Sequence, residues 1–157
     1  MTDATARTAL LDALAFLLEE TLPGHSEPGN VFLDSGTGWR ATLQTITHTQ
    51  ASETTVSGGT TIAGHVEHTR YYLQVVREFI HGRTEPVDWS DSWLVTGISE
   101  EDWPVLQAEL IAEHDRVMDL ARTADDWDED LIASLFGMVA HCAYHLGAVR
   151  QMMKQLR

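Results

Sequence analysis

Near the end of the chain, the run Met138-Val-Ala-His-Cys-Ala-Tyr-His-Leu-Gly-Ala-Val-Arg150 puts His141 and His145 four residues apart. On a helix this spacing stacks two imidazoles one turn above the other, on one face, so both can reach a single point. The commonest chemistry asking for convergent imidazoles is ligation of a divalent metal, which needs a further donor from elsewhere. His65 and His68, in Thr61-Ile-Ala-Gly-His-Val-Glu-His68, can share one side of another helix, and either is a candidate third ligand. His114 falls on the inner stripe of a further helix and is a candidate fourth ligand or a group behind the ligands. A chain with eight histidines will often show such a pair by chance, so a hydrogen-bonded core pair stands as the alternative.

Other metal chemistries are excluded by what is missing. A di-iron bundle wants two Glu-x-x-His pairs and two further glutamates, whereas only Glu78-Phe-Ile-His81 has that form and the last helix carries no acid after Asp130. The His-Glu-x-x-His of zinc proteases is absent. Cys142 sits on the apolar seam of its helix, which reads as an inert buried thiol, not a nucleophile.

The elements that must hold these residues are helical. A first helix, capped by Thr2 or Asp3, carries Leu10, Leu11, Leu14, Phe16, Leu17 and Leu18 as far as Thr21, and Pro23-Gly24 stops it. A Gly-, Thr- and Ser-rich connection follows, with one short helix expected from about Trp39 to Ala51. A connection this long suggests that the chain crosses the molecule. The second long helix is expected over Thr60 to His81, with Ile62, Val66, Thr69, Leu73, Val76 and Ile80 on one stripe and Gly82 as its stop. Trp89 and Trp93, in the polar loop beyond it, read as anchors packed on the bundle more than as ligand contacts.

Ser99-Glu-Glu-Asp102 reads as a capping box for a third helix reaching Arg122, with Leu106, Leu110, Val117, Leu120 and Ala121 inward. An acidic turn around Trp127 then leads into a helix over Glu129 to Gln155, whose seam is Leu131, Leu135, Met138, Cys142, His145, Val149, Met152 and Leu156. At about 1.5 Å per residue, His68 lies ~14 Å into its helix and His145 ~16 Å before the end of the last, so antiparallel neighbours bring them level. The expectation is an all-α chain, a four-helix bundle with long crossover loops, in one domain over residues 1–157.

Composition bounds the partners. With 43% hydrophobic and 22% charged residues among 157, a globular core is expected. Twenty-four acids against ten bases leave a net charge of −14, which argues against nucleic acid and against an anionic membrane surface. The single cysteine excludes an internal disulfide and, with no signal peptide evident, suggests a cytoplasmic protein. No apolar run of about 18 residues is evident, so no membrane span is expected.

The stretch His141-Cys-Ala-Tyr-His145-Leu-Gly-Ala-Val-Arg150 resembles the last-helix signature of the DinB/YfiT-like metal-binding four-helix bundles. Thr61-Ile-Ala-Gly-His-Val-Glu-His68 is similar to the second-helix segment of that family, and Asp88-Trp-Ser-Asp-Ser-Trp93 to the loop that follows it. The resemblance implies a divalent-metal site on His68, His141 and His145, with His65 ranked second because the family's ligand follows the helix-start Thr or Ser by seven residues. Where many relatives carry Gly-Gln after the second histidine of the last helix, this chain has Gly147-Ala148. The resemblance further implies zinc or nickel, or else iron or manganese, and a homodimer. Characterised relatives include transferases and isomerases that use low-molecular-weight thiols such as mycothiol and bacillithiol.

Three neutral imidazoles leave one coordination position open, where a thiol or a water can be acidified. The leading expectation is therefore a metal-dependent enzyme activating a low-molecular-weight thiol towards a small-molecule electrophile. The alternatives are a non-catalytic metal-binding or interaction protein and a metal-dependent hydrolase, although no Asp or Glu is placed as a general base. Tyr72 and Arg150 read as packing or surface groups. Because protons compete for imidazole nitrogen, metal occupancy is expected to fall below about pH 6.

Overall fold

The helical periods in the sequence become helices in the computed structural model, which describes residues 3–22, 30–123 and 128–156. Helix α1 spans Asp3–Thr21, α2 Trp39–Leu43, α3 His48–Ser52, α4 Ile62–Ile80, α5 Asp102–Thr123 and α6 Glu129–Gln155, with a 3-10 turn at Trp89–Trp93 before α5. Among the described residues, an isolated bridge between Thr54 and Thr61 is the sole β-type pairing. The four long helices form the bundle: α1 and α4 each pack on both α5 and α6. The short α2 and α3 ride on the crossover between α1 and α4, against α5 and α4 respectively.

Local chemistry sets the ends of the site-bearing helices. The Thr61 side chain accepts the Gly64 N–H at 3.0 Å and starts α4, while Asp128 accepts the Leu131 N–H at 2.8 Å and starts α6. Gly82 has φ +92, a conformation that side-chain-bearing residues rarely adopt, and it ends α4 as the sequence predicts. The seam predicted for α6 is buried from Leu131 to Met152, with Leu146 added and Leu156 only half-buried. Inner positions of α4 and α5 match in part: Val76, Ile80 and Leu120 are only partly covered, while Val75, Trp103 and Met118 are buried in addition.

Several expectations change. The single helix expected from Trp39 to Ala51 is two, because Thr47 adopts an extended conformation and starts α3 anew through a reciprocal capping box with Gln50. Ser99 does accept the Asp102 N–H at 3.0 Å, but α5 proper begins at Asp102. On α1, Leu14 and Leu18 are buried while Leu10 and Phe16 remain substantially exposed. The stop at Pro23-Gly24, the Thr2 cap and the turn at Trp127 lie outside the described residues. Contrary to the expectation of no such run, α6 is by length and a mean hydropathy of 1.4 apolar enough to cross a membrane. A helix that fills a bundle core passes the same test, and the inward seam of α6 is buried protein core.

Two tryptophans tie the crossover to the bundle. Trp39 is fully buried and donates its indole N–H to the Cys142 carbonyl at 3.2 Å, on the turn between His141 and His145. Trp103 donates to the Ile46 carbonyl at 2.8 Å. Buried acids lock the rest. Glu113 accepts from Arg77 of α4 and, at 2.6 Å, from Arg116 of its own helix. Glu20 is fully buried and accepts the backbone N–H groups of Val31, Phe32 and Leu33 at 2.9, 2.8 and 2.6 Å. Replacing Glu20 with Ala strands three donors, so Glu20→Ala is expected to destabilise the fold by about 2–4 kcal/mol. A urea titration checks this, with an unchanged midpoint as the contrary result.

Candidate metal centre

Helix α4 presents Thr61, His65, His68 and Tyr72 along one stripe, and α6 presents His141 and His145 along the facing one. Contacts between the stripes fix their relative direction. His65 meets His145, His68 meets both His145 and His141, and Tyr72 meets His141, with ring centroids 5.1, 4.8, 4.9 and 3.7 Å apart. Advancing along α4 thus means retreating along α6, so the two helices are antiparallel and the histidines lie at one level. At Gly137, one further turn back, a Cβ would stand 2.9 Å from the Tyr72 hydroxyl. The glycine lets that ring lie against α6.

His68, His141 and His145 each offer one ligand atom, and the three atoms lie within 4.8 Å of one another. His68 and His145 are buried and His141 half-buried. The remaining ring atoms show which nitrogens are free. The Ser92 hydroxyl donates to the Trp89 carbonyl at 2.6 Å, so it accepts from His68 Nδ1 at 2.7 Å and leaves His68 Nε2 with its lone pair. His145 Nδ1 is engaged by His65 Nδ1 at 2.8 Å, which leaves its Nε2. His141 Nε2 is buried and has no hydrogen-bond partner. An orphaned buried nitrogen costs about 1–3 kcal/mol, and a cation among the three rings would satisfy it. Three neutral imidazoles form a donor set that suits zinc or nickel, so the residues fit the group.

Aromatic faces back two of the three rings. Trp93 stacks on His68 at 3.9 Å and 16°, and Tyr72 on His141 at 3.7 Å and 9°. Trp93 is thus the anchor that the sequence suggests, with a histidine of the cluster as its seat. Trp89 reaches Tyr72 at 5.9 Å and Tyr71 at 6.2 Å, and the exposed Tyr144 meets His145 edge-on at 4.9 Å. Sequence reasoning missed Ser92. Its signal was a serine at the end of a loop whose Asp88 side chain caps the 3-10 turn, a pattern indistinguishable from an ordinary loop.

Other candidates fall away from the centre. His114 hydrogen-bonds the Leu18 carbonyl of α1 through Nε2 at 2.9 Å and is not part of the three-nitrogen group. His65 touches the group without belonging to it. Arg150 reaches the Thr37 carbonyl at 3.3 Å. Burial pushes the Cys142 thiol up to about 12, as an inert thiol requires.

A family model of the DinB superfamily matches residues 35–149. The chain belongs to the DinB superfamily. No curated protein and no solved structure matches it. Membership and the three-histidine cluster are together compatible with metal binding by this DinB protein.

Burial is also the largest influence on protonation here. It pushes His65 and His141 down to about 4 and His145 to about 3, with neighbouring histidines adding to the effect, and it lowers His68 although Glu67 opposes. Competition by protons for these nitrogens therefore belongs below the pH 6 suggested by free imidazoles. Folding depends on pH in the same sense. An unfolded histidine takes up its proton near pH 6.5, whereas the folded cluster resists down to about 4. The unfolded chain thus binds more protons in between, and stability is full above about pH 6.5 and declines as pH falls towards 4. Urea midpoints of chelator-treated protein between about pH 7 and 5 are expected to fall, and more shallowly in His145→Leu. Parallel slopes for the two proteins would contradict the assignment.

Proposed function

We propose that this DinB protein is a metal-dependent enzyme in which His68, His141 and His145 hold a divalent cation, zinc or nickel, and present a low-molecular-weight thiol to a small electrophile. The observation that carries the reading is His141 Nε2, buried without a partner beside two rings whose Nδ1 atoms are engaged from behind. A cation held by these rings would supply Lewis acidity, lowering the pKa of a thiol or water bound to it.

The chain's own residues do the rest. Burial keeps the three imidazoles neutral at physiological pH and so keeps their lone pairs available. Trp93 and Tyr72 cover the faces of His68 and His141 and limit how those rings can turn. The groups behind His68 and His145 are a hydroxyl and an imidazole, both uncharged, so neither would offset the charge of a dication held by the three rings, a setting that would favour an anion such as a thiolate. Among the described residues no carboxylate joins the three-nitrogen group. Glu67, next to His68, is committed to Arg70 at 2.7 and 2.8 Å. This supports thiol activation over hydrolysis assisted by a carboxylate base.

Elemental analysis of protein purified without a histidine tag is expected to give about one zinc or nickel per chain, lost in His141→Ala. Conjugation of a small thiol to a generic electrophile should then require the metal and stop on chelation. Metal bound in equal amount by wild type and His141→Ala contradicts the site. Metal without any thiol chemistry leaves a binding protein instead of an enzyme.

A further inference from the structure

His65 lies against the metal-competent group without offering it a ligand atom, and its place there is well defined. Its Nδ1 stands 2.8 Å from His145 Nδ1, and its ring meets the edge of Trp93 at 5.6 Å and 84°. Trp93 in turn stacks on His68. Two neutral imidazole nitrogens at hydrogen-bond distance hold one proton between them, so one ring donates and the other accepts. When His145 gives its Nε2 to a cation, its ring proton must sit on Nδ1, which makes His145 the donor and His65 the acceptor.

We propose that His65 is a positioning residue, accepting the His145 Nδ1–H and thereby holding that ring in the tautomer and orientation that turn Nε2 towards the other two ligands. This inference rests on the reading of His68, His141 and His145 as the ligand set. An independent parallel sits on the same helix, where the Ser92 hydroxyl accepts from His68 Nδ1 at 2.7 Å. Two of the three rings are thus gripped through Nδ1, one by the loop before α5 and one by the histidine a turn earlier on α4. Histidine suits the task because α4 places position 65 one turn before His68 and level with His145, within imidazole reach but without a serine's need for close backbone approach. His65 and Ser92 therefore perform by different chemistry the task that carboxylates or carbonyls usually perform behind ligating histidines.

The test uses the full chain, zinc as the probe and a competing chelator. His65→Leu is expected to weaken zinc binding about 10- to 100-fold, the usual effect of removing a group behind a ligand. His65→Gln, whose side-chain carbonyl can accept the same proton, is expected to stay within a few-fold of wild type. In the zinc-loaded wild type, nitrogen-15 spectra should show His145 metallated at Nε2 and protonated at Nδ1.

Equal zinc affinity in wild type and His65→Leu overturns the proposal, since packing alone would then explain the contact. A loss in His65→Gln as deep as in His68→Ala overturns it in favour of His65 as a ligand, and zinc on His145 Nδ1 overturns it directly. Wild type that takes up no zinc defeats the metal reading beneath it. That result is distinguishable from wild type that binds zinc indifferently to position 65.

Discussion

The structure depends on the antiparallel contact of α4 with α6, across which imidazoles are held neutral by exclusion of water. Burying three or four titratable rings together is unfavourable for their charged forms, and each ring lowers its neighbours' proton affinity further. What would be a liability in an ordinary core is a requirement for a metal site, where the ligand must be the neutral base. The surrounding apolar seam, from Leu135 to Met152 on α6, is buried and fixes the level at which the rings meet.

Rigidity around the centre comes from three separate connections. Trp39 fastens the crossover to the turn of α6 that carries both histidines. The Glu113 carboxylate, engaged by Arg77 and Arg116, joins α4 to α5. The 3-10 turn before α5 lays Trp93 and Ser92 on His68. All three tie the elements that carry the rings to their neighbours, and placement to a fraction of an ångström is what a metal site would need.

Burial and geometry explain one another at His141. Tyr72 covers one face of the ring, a surface made possible by Gly137, and Nε2 is turned inward without a protein partner. His114 is a useful contrast: more deeply buried than His141, it ends at the Leu18 carbonyl on α1, and its ring links two helices without joining the centre.

By itself the sequence determined the helices that matter and the faces they bury, because helical period, caps at Thr61 and Asp128 and the stop at Gly82 are local properties. It also put His141 and His145 on one face and His65 and His68 on another, since spacing within a helix is enough for that. Local pattern could not foresee that Thr47 would restart the short crossover helix, or that Ser92, Trp93 and Tyr72 would close around the rings. The choice between His65 and His68 was likewise open in the residues alone, for both face the same side of α4. Only the tertiary structure separates the two, bringing His68 into the three-nitrogen group and turning His65 Nδ1 onto His145. Contacts between segments far apart in the chain are set by how whole helices pack, and no window of neighbouring residues contains that information.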